Sequence, residues 1–389
     1  IRDRIRLSDH FSFGRLLRFT LPSIAMMILT SLYSVADGLF VSNMVGDIGL
    51  SAVNIMFPVA MLIAAVGFML GTGGSAVVAR TLGEGRPDMA NRFFSMFVFA
   101  VILFGGVLSA AGAAFVEPIA RLAGASDILM DSCVSYGRIL FAGSLPFMLQ
   151  TSLQPFFVVA ERPNMGLILS IASGVTNFAG DWVLIQLIGL PGAAWATVTA
   201  QYFSGLGLAV FTLRRCPDLL PKREELRFDA ALLREIFSLS SLTCVQQSVM
   251  NFGILMIQGL VNSFGEIVMA AFAAAVKIDS FAYLPVQDFG NAYSTFTAQN
   301  YGAGNHERIR RGTKDAFALS AAFSIVISLL VNLFAHPLMQ IFVKASEMEV
   351  IAIGVQYLRL EGSFYLGIGW LFLLYGYYRA VQPVSYTHL

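Results

Sequence analysis

Long apolar stretches with little or no charge recur along the chain at 19–46, 48–79, 93–116, 139–160, 163–187, 192–213, 236–265, 267–298, 316–343 and 362–378. Crossing a hydrocarbon core of ~30 Å takes about 20 mostly apolar residues in a helix. The pattern therefore predicts ten membrane-spanning helices and no sheet. The fifth and sixth stretches are separated only by Gly189-Leu-Pro-Gly192, a strong turn signal. The longest polar interruption is the segment 214–234.

The pattern also repeats. Displaced by 219 positions, the segment from Val45 to Asn54 falls on Phe264 to Ala273, Gly83-Glu-Gly85 falls on Gly302-Ala-Gly304, and Arg92 falls on Arg311. Tyr136-Gly-Arg138 matches Tyr357-Leu-Arg359 at a displacement of 221. An even number of helices per copy starts both copies on the same side, with the relating axis along the membrane normal. The predicted fold is an all-α integral membrane protein of two homologous six-helix bundles. The amino-terminal bundle covers 1–213 and a cytoplasmic linker 214–234. A carboxy-terminal bundle at 235–383 lacks counterparts of the fifth and sixth helices, so ten of an implied twelve are expected. The tail 384–389 does not continue the membrane pattern.

Composition agrees with this reading. Charged residues make up 13% of the chain and hydrophobic residues 57%. Soluble domains carry about 25% charged residues, so there is too little polar surface to cover a water-soluble body of this length. Twenty of the 25 Lys and Arg fall on one set of alternate loops, which by the positive-inside rule puts the amino terminus in the cytoplasm. Confined to those loops, the basic residues form no nucleic-acid surface. Cys133, Cys216 and Cys244 are widely spaced, so no disulfide or metal cluster is expected.

Acids at membrane depth are costly and mark function. Asp37 lies about eighteen residues into the first stretch, where its repeat counterpart is Met256. Asp181 lies in the fifth, with Asn177 four residues before it and so on the same helix face. Two carboxylates and an amide facing one another would make an oxygen-rich pocket for a hard monovalent cation or a proton. Set against this, a lone Asp near a helix end can simply sit at the interface. Pro22, fifteen residues before Asp37, is either a static kink or a hinge. Lys277 and Asp288, eleven apart in the eighth stretch, share a face and form a possible buried pair, serving helix packing or a cavity lining. Gly71-Thr-Gly-Gly-Ser75 and Gly83-Glu-Gly85 lack the Lys-Ser/Thr of a phosphate loop and read as close-packing and helix-ending positions. No His lies at the centre of a span and no nucleophile motif is present, which argues against an intramembrane enzyme.

Taken together, these residues resemble the multidrug and toxic compound extrusion (MATE) family. The resemblance rests on two six-helix halves, on Pro22 and Asp37 in the first helix, and on Asn177-Phe-Ala-Gly-Asp181 in the fifth. It is completed by Gly192-Ala-Ala-Trp-Ala-Thr197 opening the sixth and by Gln299-Asn-Tyr-Gly-Ala-Gly304 after the eighth. It covers the chain to about residue 383 and points to the bacterial branch with an amino-half cation site. The resemblance implies a V-shaped pair of bundles, a cation site at Asp37, Asn177, Asp181 and Thr197, and Pro22 as a helix hinge. Gln246 and Gln247 stand where some branches carry a seventh-helix acid. Tyr33, Asn54, Gln150 and Gln154 are the candidate substrate-cavity residues. The implied function is H+- or Na+-coupled antiport of amphipathic, often cationic, organic compounds across the cytoplasmic membrane by alternating access. The alternative is a flippase for lipid-linked precursors or polysaccharides. No cofactor or metal is expected beyond the coupling ion, the partners are a small organic molecule and lipid, and the expected assembly is a monomer.

Overall fold

The computed structural model describes residues 45–160, 163–215 and 230–381, and from the preceding segment 21, 22, 25, 26, 29, 33, 36, 37, 40, 41, 43 and 44. The tail at 384–389 and most of the linker lie outside these residues. The described residues from 21 to 44 are helical and are called α1. There follow α2 (Asp47–Gly83), α3 (Pro87–Ala114), α4 (Val116–Leu122), α5 (Asp127–Ala142), α6 (Ser144–Leu153) and α7 (Phe156–Val159). Then come α8 (Pro163–Ile188), α9 (Leu190–Arg215), α10 (Ala230–Asn262), α11 (Glu266–Gly302), α12 (His306–Phe342), α13 (Met348–Gly362) and α14 (Tyr365–Val381). No strand occurs among the described residues.

The sequence repeat is reproduced in the helix ends. Both α2 and α11 run for 37 residues, beginning and ending 219 positions apart, and α3 and α12 begin at that same displacement. Gly46 and Gly265 precede the long helices at φ 87° and 97°, and Gly85 and Gly304 follow them at φ 71° and 70°. In both copies the glycine closes the helix through paired bonds. Gly85 N donates to Leu82 O and Arg86 N to Thr81 O, while Gly304 N donates to Tyr301 O and Asn305 N to Asn300 O. A left-handed glycine supplies this stop without Cβ strain.

A second duplicated feature is a break. α3 ends at Ala114 and is capped by Phe115 (φ −107°, ψ 25°), three residues before Pro118. α12 bends at Phe334 (φ −105°, ψ 15°), three residues before Pro337. Each proline lacks the N–H for its helical bond and crowds the preceding turn, so the same break appears 219 residues apart.

The helices differ from the apolar stretches in one respect. In place of the fourth stretch, α5 begins not near 139 but at Asp127, and α6 carries on past Gly143 to Leu153. Its counterpart begins at Met348, not near 362, as α13 followed by α14. Hydropathy registers contact with lipid, whereas a helix continues through Asp131, Arg138, Arg359 and Glu361 because their backbone bonds are unaffected by side-chain charge. The turn at Gly189 (φ 66°), with Pro191 in the first turn of α9, separates α8 from α9 as expected.

Described residues from 29 to 244 form one compact unit, and those from 245 to 381, with 21, 22, 25 and 26, form the other. In the first unit α6 packs on α2, α3 and α9, and α8 packs along α9. Its core includes Phe97 tilted against Phe156 at 4.7 Å, and Phe94 meets Phe156 edge-on at 5.1 Å. In the second unit α11 packs on α13 and α14, around Ala275, Ile278, Met339, Leu358 and Tyr365.

Large apolar side chains such as Leu62, Leu103, Ile168, Val175, Leu329 and Leu333 are exposed along α2, α3, α8 and α12. Five helices among the described residues are individually long and apolar enough to cross a bilayer: Ile48–Gly83, Pro87–Ala114, Asn164–Ile188, Glu266–Gly302 and His306–Phe342. An apolar outer surface on helices of that length is a lipid-facing surface. The molecule is a multi-pass membrane protein.

Candidate functional site

Asp37 on α1 and Asp181 on α8 come together inside the first unit, their carboxyls side by side and close enough to share a proton. Asp181 is 1% exposed and Asp37 is half-buried. Asp37 Oδ1 and both Asp181 oxygens are buried and accept no hydrogen bond from any described group. An ionised carboxylate has only acceptors, so two of them in contact need a proton or a cation between them. The packing around the pair is aromatic. Phe40, three residues after Asp37, meets Phe178 edge-on at 4.9 Å and Trp182 at 6.3 Å, so α1 is held against the face of α8 that carries Asp181.

The remaining expected ligands are close by. Asn177 Nδ2 donates to Thr197 Oγ1 at 3.4 Å, linking α8 to α9. That bond occupies the amide nitrogen and leaves the Asn177 carbonyl oxygen as an acceptor. The helices approach closely here, because a Cβ on Gly180 would lie 2.9 Å from Ala196 Cβ. Ser173 Oγ adds a second α8–α9 link by donating to Ala200 O at 3.0 Å. Replacing Thr197 with valine keeps the shape and removes the acceptor for Asn177. We expect the driving-cation concentration for half-maximal transport to rise about fivefold, the worth of one hydrogen bond near 1 kcal/mol, with the maximal rate unchanged.

Other sequence expectations find definite places. Pro22 is helical and buried. Tyr33 is half-buried, with its ring against α8 where a Cβ on Gly174 would stand. Asn54 is exposed on α2, and Gln150 and Gln154 are half-buried at the end of α6.

The possible buried pair of Lys277 and Asp288 is not formed. Lys277 is exposed. Eleven residues along a helix amount to about 16 Å of rise, so sharing a face does not put the two groups in contact. Met256, the counterpart of Asp37, is 62% exposed.

Three features were missed in the sequence. Tyr136 is buried in the first unit within the field of both Asp37 and Asp181. In the second unit Asp279 on α11, 6% exposed, lies beside Glu361 on α13 and Tyr365 on α14, and Tyr357 lies beside Glu361. Buried acids therefore occur in both halves, on different helices. The repeat places Asp279 opposite Ala60 and Glu361 opposite Leu140, yet Tyr357 opposite Tyr136. The four-residue spacing of Tyr357, Glu361 and Tyr365 was the available signal. The third feature is Arg379, grouped by its sequence with the cytoplasmic tail but 7% exposed within the helices of the second unit.

Comparison with known proteins bears on the family and the fold. The family model described as MatE matches residues 22–183 and 243–387. The chain is 24% identical over 375 residues to the probable multidrug resistance protein YoeA of Bacillus subtilis, covering 92% of this chain and 77% of that one. It is 26% identical over 342 residues to an FAD transporter of Shewanella oneidensis, covering 84% and 74%. Among solved structures, a transporter of the MOP superfamily from Pyrococcus furiosus superimposes with a TM-score of 0.88 at 20% identity. The superposition covers 96% of this chain and 83% of that one. That protein's binding pocket is described as having reverse polarity, suggesting a different function.

Proposed function

The chain belongs to the MatE family, and from that premise we propose that it exports amphipathic organic compounds, often cationic ones, across the cytoplasmic membrane in exchange for H+ or Na+. The observation that carries the reading is the Asp37–Asp181 pair, in which Asp37 Oδ1 and both Asp181 oxygens are buried with no donor to satisfy them. One proton or one small cation between them offsets the repulsion, and its departure restores it. The site therefore has two states whose energies depend on occupancy. A bound ion can shift a conformational equilibrium only by its differential affinity for the two conformations, and this pair is the element proposed to supply it. Pro22 is the proposed hinge, with the amino terminus on the cytoplasmic side, and Tyr33, Asn54, Gln150 and Gln154 are the proposed cavity residues. The probable multidrug resistance protein of Bacillus subtilis and the FAD transporter of Shewanella oneidensis support a small organic substrate, without choosing its charge.

The test is uptake of a cationic dye into inverted membrane vesicles carrying the protein, with a pH or sodium gradient imposed separately. Accumulation driven by one gradient and abolished when that gradient is collapsed is the expected result. Accumulation indifferent to both gradients would sink the antiport reading. Binding of a lipid pyrophosphate without dye transport would favour the flippase instead.

A further inference from the structure

Arg379 sits in the last turns of α14, among apolar and aromatic residues, with its side chain buried. A guanidinium stays charged in a protein, and a buried charge is expected to meet an opposite one. Among the described residues this one does not. Nη1 donates to Asn291 Oδ1 at 3.0 Å and Nη2 donates to Gln246 Oε1 at 3.5 Å, and both acceptors are neutral amides. They come from α11 and α10, so three helices converge on the charge without neutralising it. Two of the five N–H donors of the fork are used in this way. Asn291 and Gln246 keep partial exposure while Arg379 does not, so the charge lies behind a rim of amides.

A neutral side chain could tie three helices together without the cost of a buried cation. The arrangement suits a visitor that brings the missing negative charge. We propose that Arg379, framed by Asn291 and Gln246, is an anion subsite that takes a carboxylate or phosphate group carried by an organic substrate. The paired oxygens of a carboxylate or phosphate match the remaining donors of the fork in a way that a single-atom anion does not. The inference rests on the export reading for its biological sense. It gives preference, among the exported amphipathic compounds, to those that also carry an oxyanion, zwitterions included.

The test uses two xanthene dyes that differ in one group, a free carboxylic acid and its ethyl ester. Their affinities are measured by fluorescence anisotropy on the full chain in nanodiscs of zwitterionic lipid. The acid-to-ester affinity ratio is expected to fall about tenfold in Arg379→Gln, the loss of charge-assisted hydrogen bonds. Arg379→Lys is expected to retain part of the ratio, and Lys277→Gln, at an exposed cation, to leave it unchanged. Should Arg379→Gln fail to fold, inorganic sulfate titrated into the parent protein is expected to displace the acid and not the ester. An unchanged ratio in Arg379→Gln, or equal displacement of both dyes by sulfate, overturns the proposal and leaves Arg379 as a helix clamp. Arg379-dependent binding seen only for phosphatidylglycerol added to the nanodiscs also overturns it, by assigning the site to a lipid headgroup. Failure of the export reading would look different: the acid preference would persist while neither dye is moved by a gradient.

Discussion

Asp37→Asn is expected to abolish gradient-driven accumulation of substrate while leaving the protein folded. The substitution keeps the size of the side chain and removes its ability to exchange a proton or to hold a cation by charge. Asp181, 1% exposed, then titrates alone and loses the neighbour whose repulsion made occupancy matter. A two-state equilibrium moves from one side to the other only when the ligand's affinities differ by about four orders of magnitude. Losing most of that difference should reduce uphill transport at least tenfold. Asp181→Asn should do the same, and the double variant should be no worse than either, because groups acting as a unit are not additive. Stability is expected to move the other way. A neutral amide is cheaper to bury than a second carboxylate, so the thermal midpoint of Asp37→Asn in detergent should equal or exceed the parent's. Unchanged transport under both a pH and a sodium gradient would refute the role of Asp37. If Asp279→Asn lost coupling while Asp37→Asn kept it, the coupling site would lie in the second unit.

The parts of this protein that were legible in the sequence are those set by local chemistry. Glycines at 85 and 304 mark helix ends because their backbone conformation is open to few other residues. The Gly189–Gly192 turn was visible for the same reason. Asp37 and Asp181 stood out because a carboxylate among apolar residues is conspicuous whatever it packs against. What was not legible depends on packing between distant segments. Asp279 and Glu361 are 82 residues apart, and Glu361 sits in a helix that hydropathy assigned to a loop because three charges interrupt its 15 residues. Lys277 and Asp288 show the converse error. A shared face does not bring proximity, because helical rise separates them and Lys277 is exposed. Arg379 looked like a flanking cytoplasmic charge, and only the positions of Asn291 and Gln246 show that it is enclosed.

The close approach of helices in both units leads to the second large effect. A Cβ on Gly71 of α2 would collide with the carbonyl oxygen of Ser152 and stand 2.7 Å from its Cα, on α6. Gly290 of α11 is its repeat counterpart, 219 residues on. A Cβ there would stand 2.7 Å from the carbonyl oxygen of Phe372 and 3.0 Å from its carbonyl carbon, on α14. At both places the obstacle is backbone, which no rotamer change can move aside, so the helices themselves must separate. Helix association in a bilayer depends on such small-residue contacts, since lipid is as apolar as the side chains. Alanine gains about 1 kcal/mol over glycine in a helix interior, while overpacking costs about 1–3 kcal/mol and sometimes more. With backbone as the obstacle the cost should prevail, so Gly71→Ala and Gly290→Ala are each expected to lower the thermal midpoint in detergent by several degrees. The two sites share no packing partner, so the double variant should lose roughly the sum. Gly106→Ala is the control, since a Cβ at that position of α3 meets nothing within 4 Å, and it should be neutral or slightly stabilising. A rise in midpoint for Gly71→Ala equal to that for Gly106→Ala would show that α2 and α6 do not approach this closely in the membrane protein.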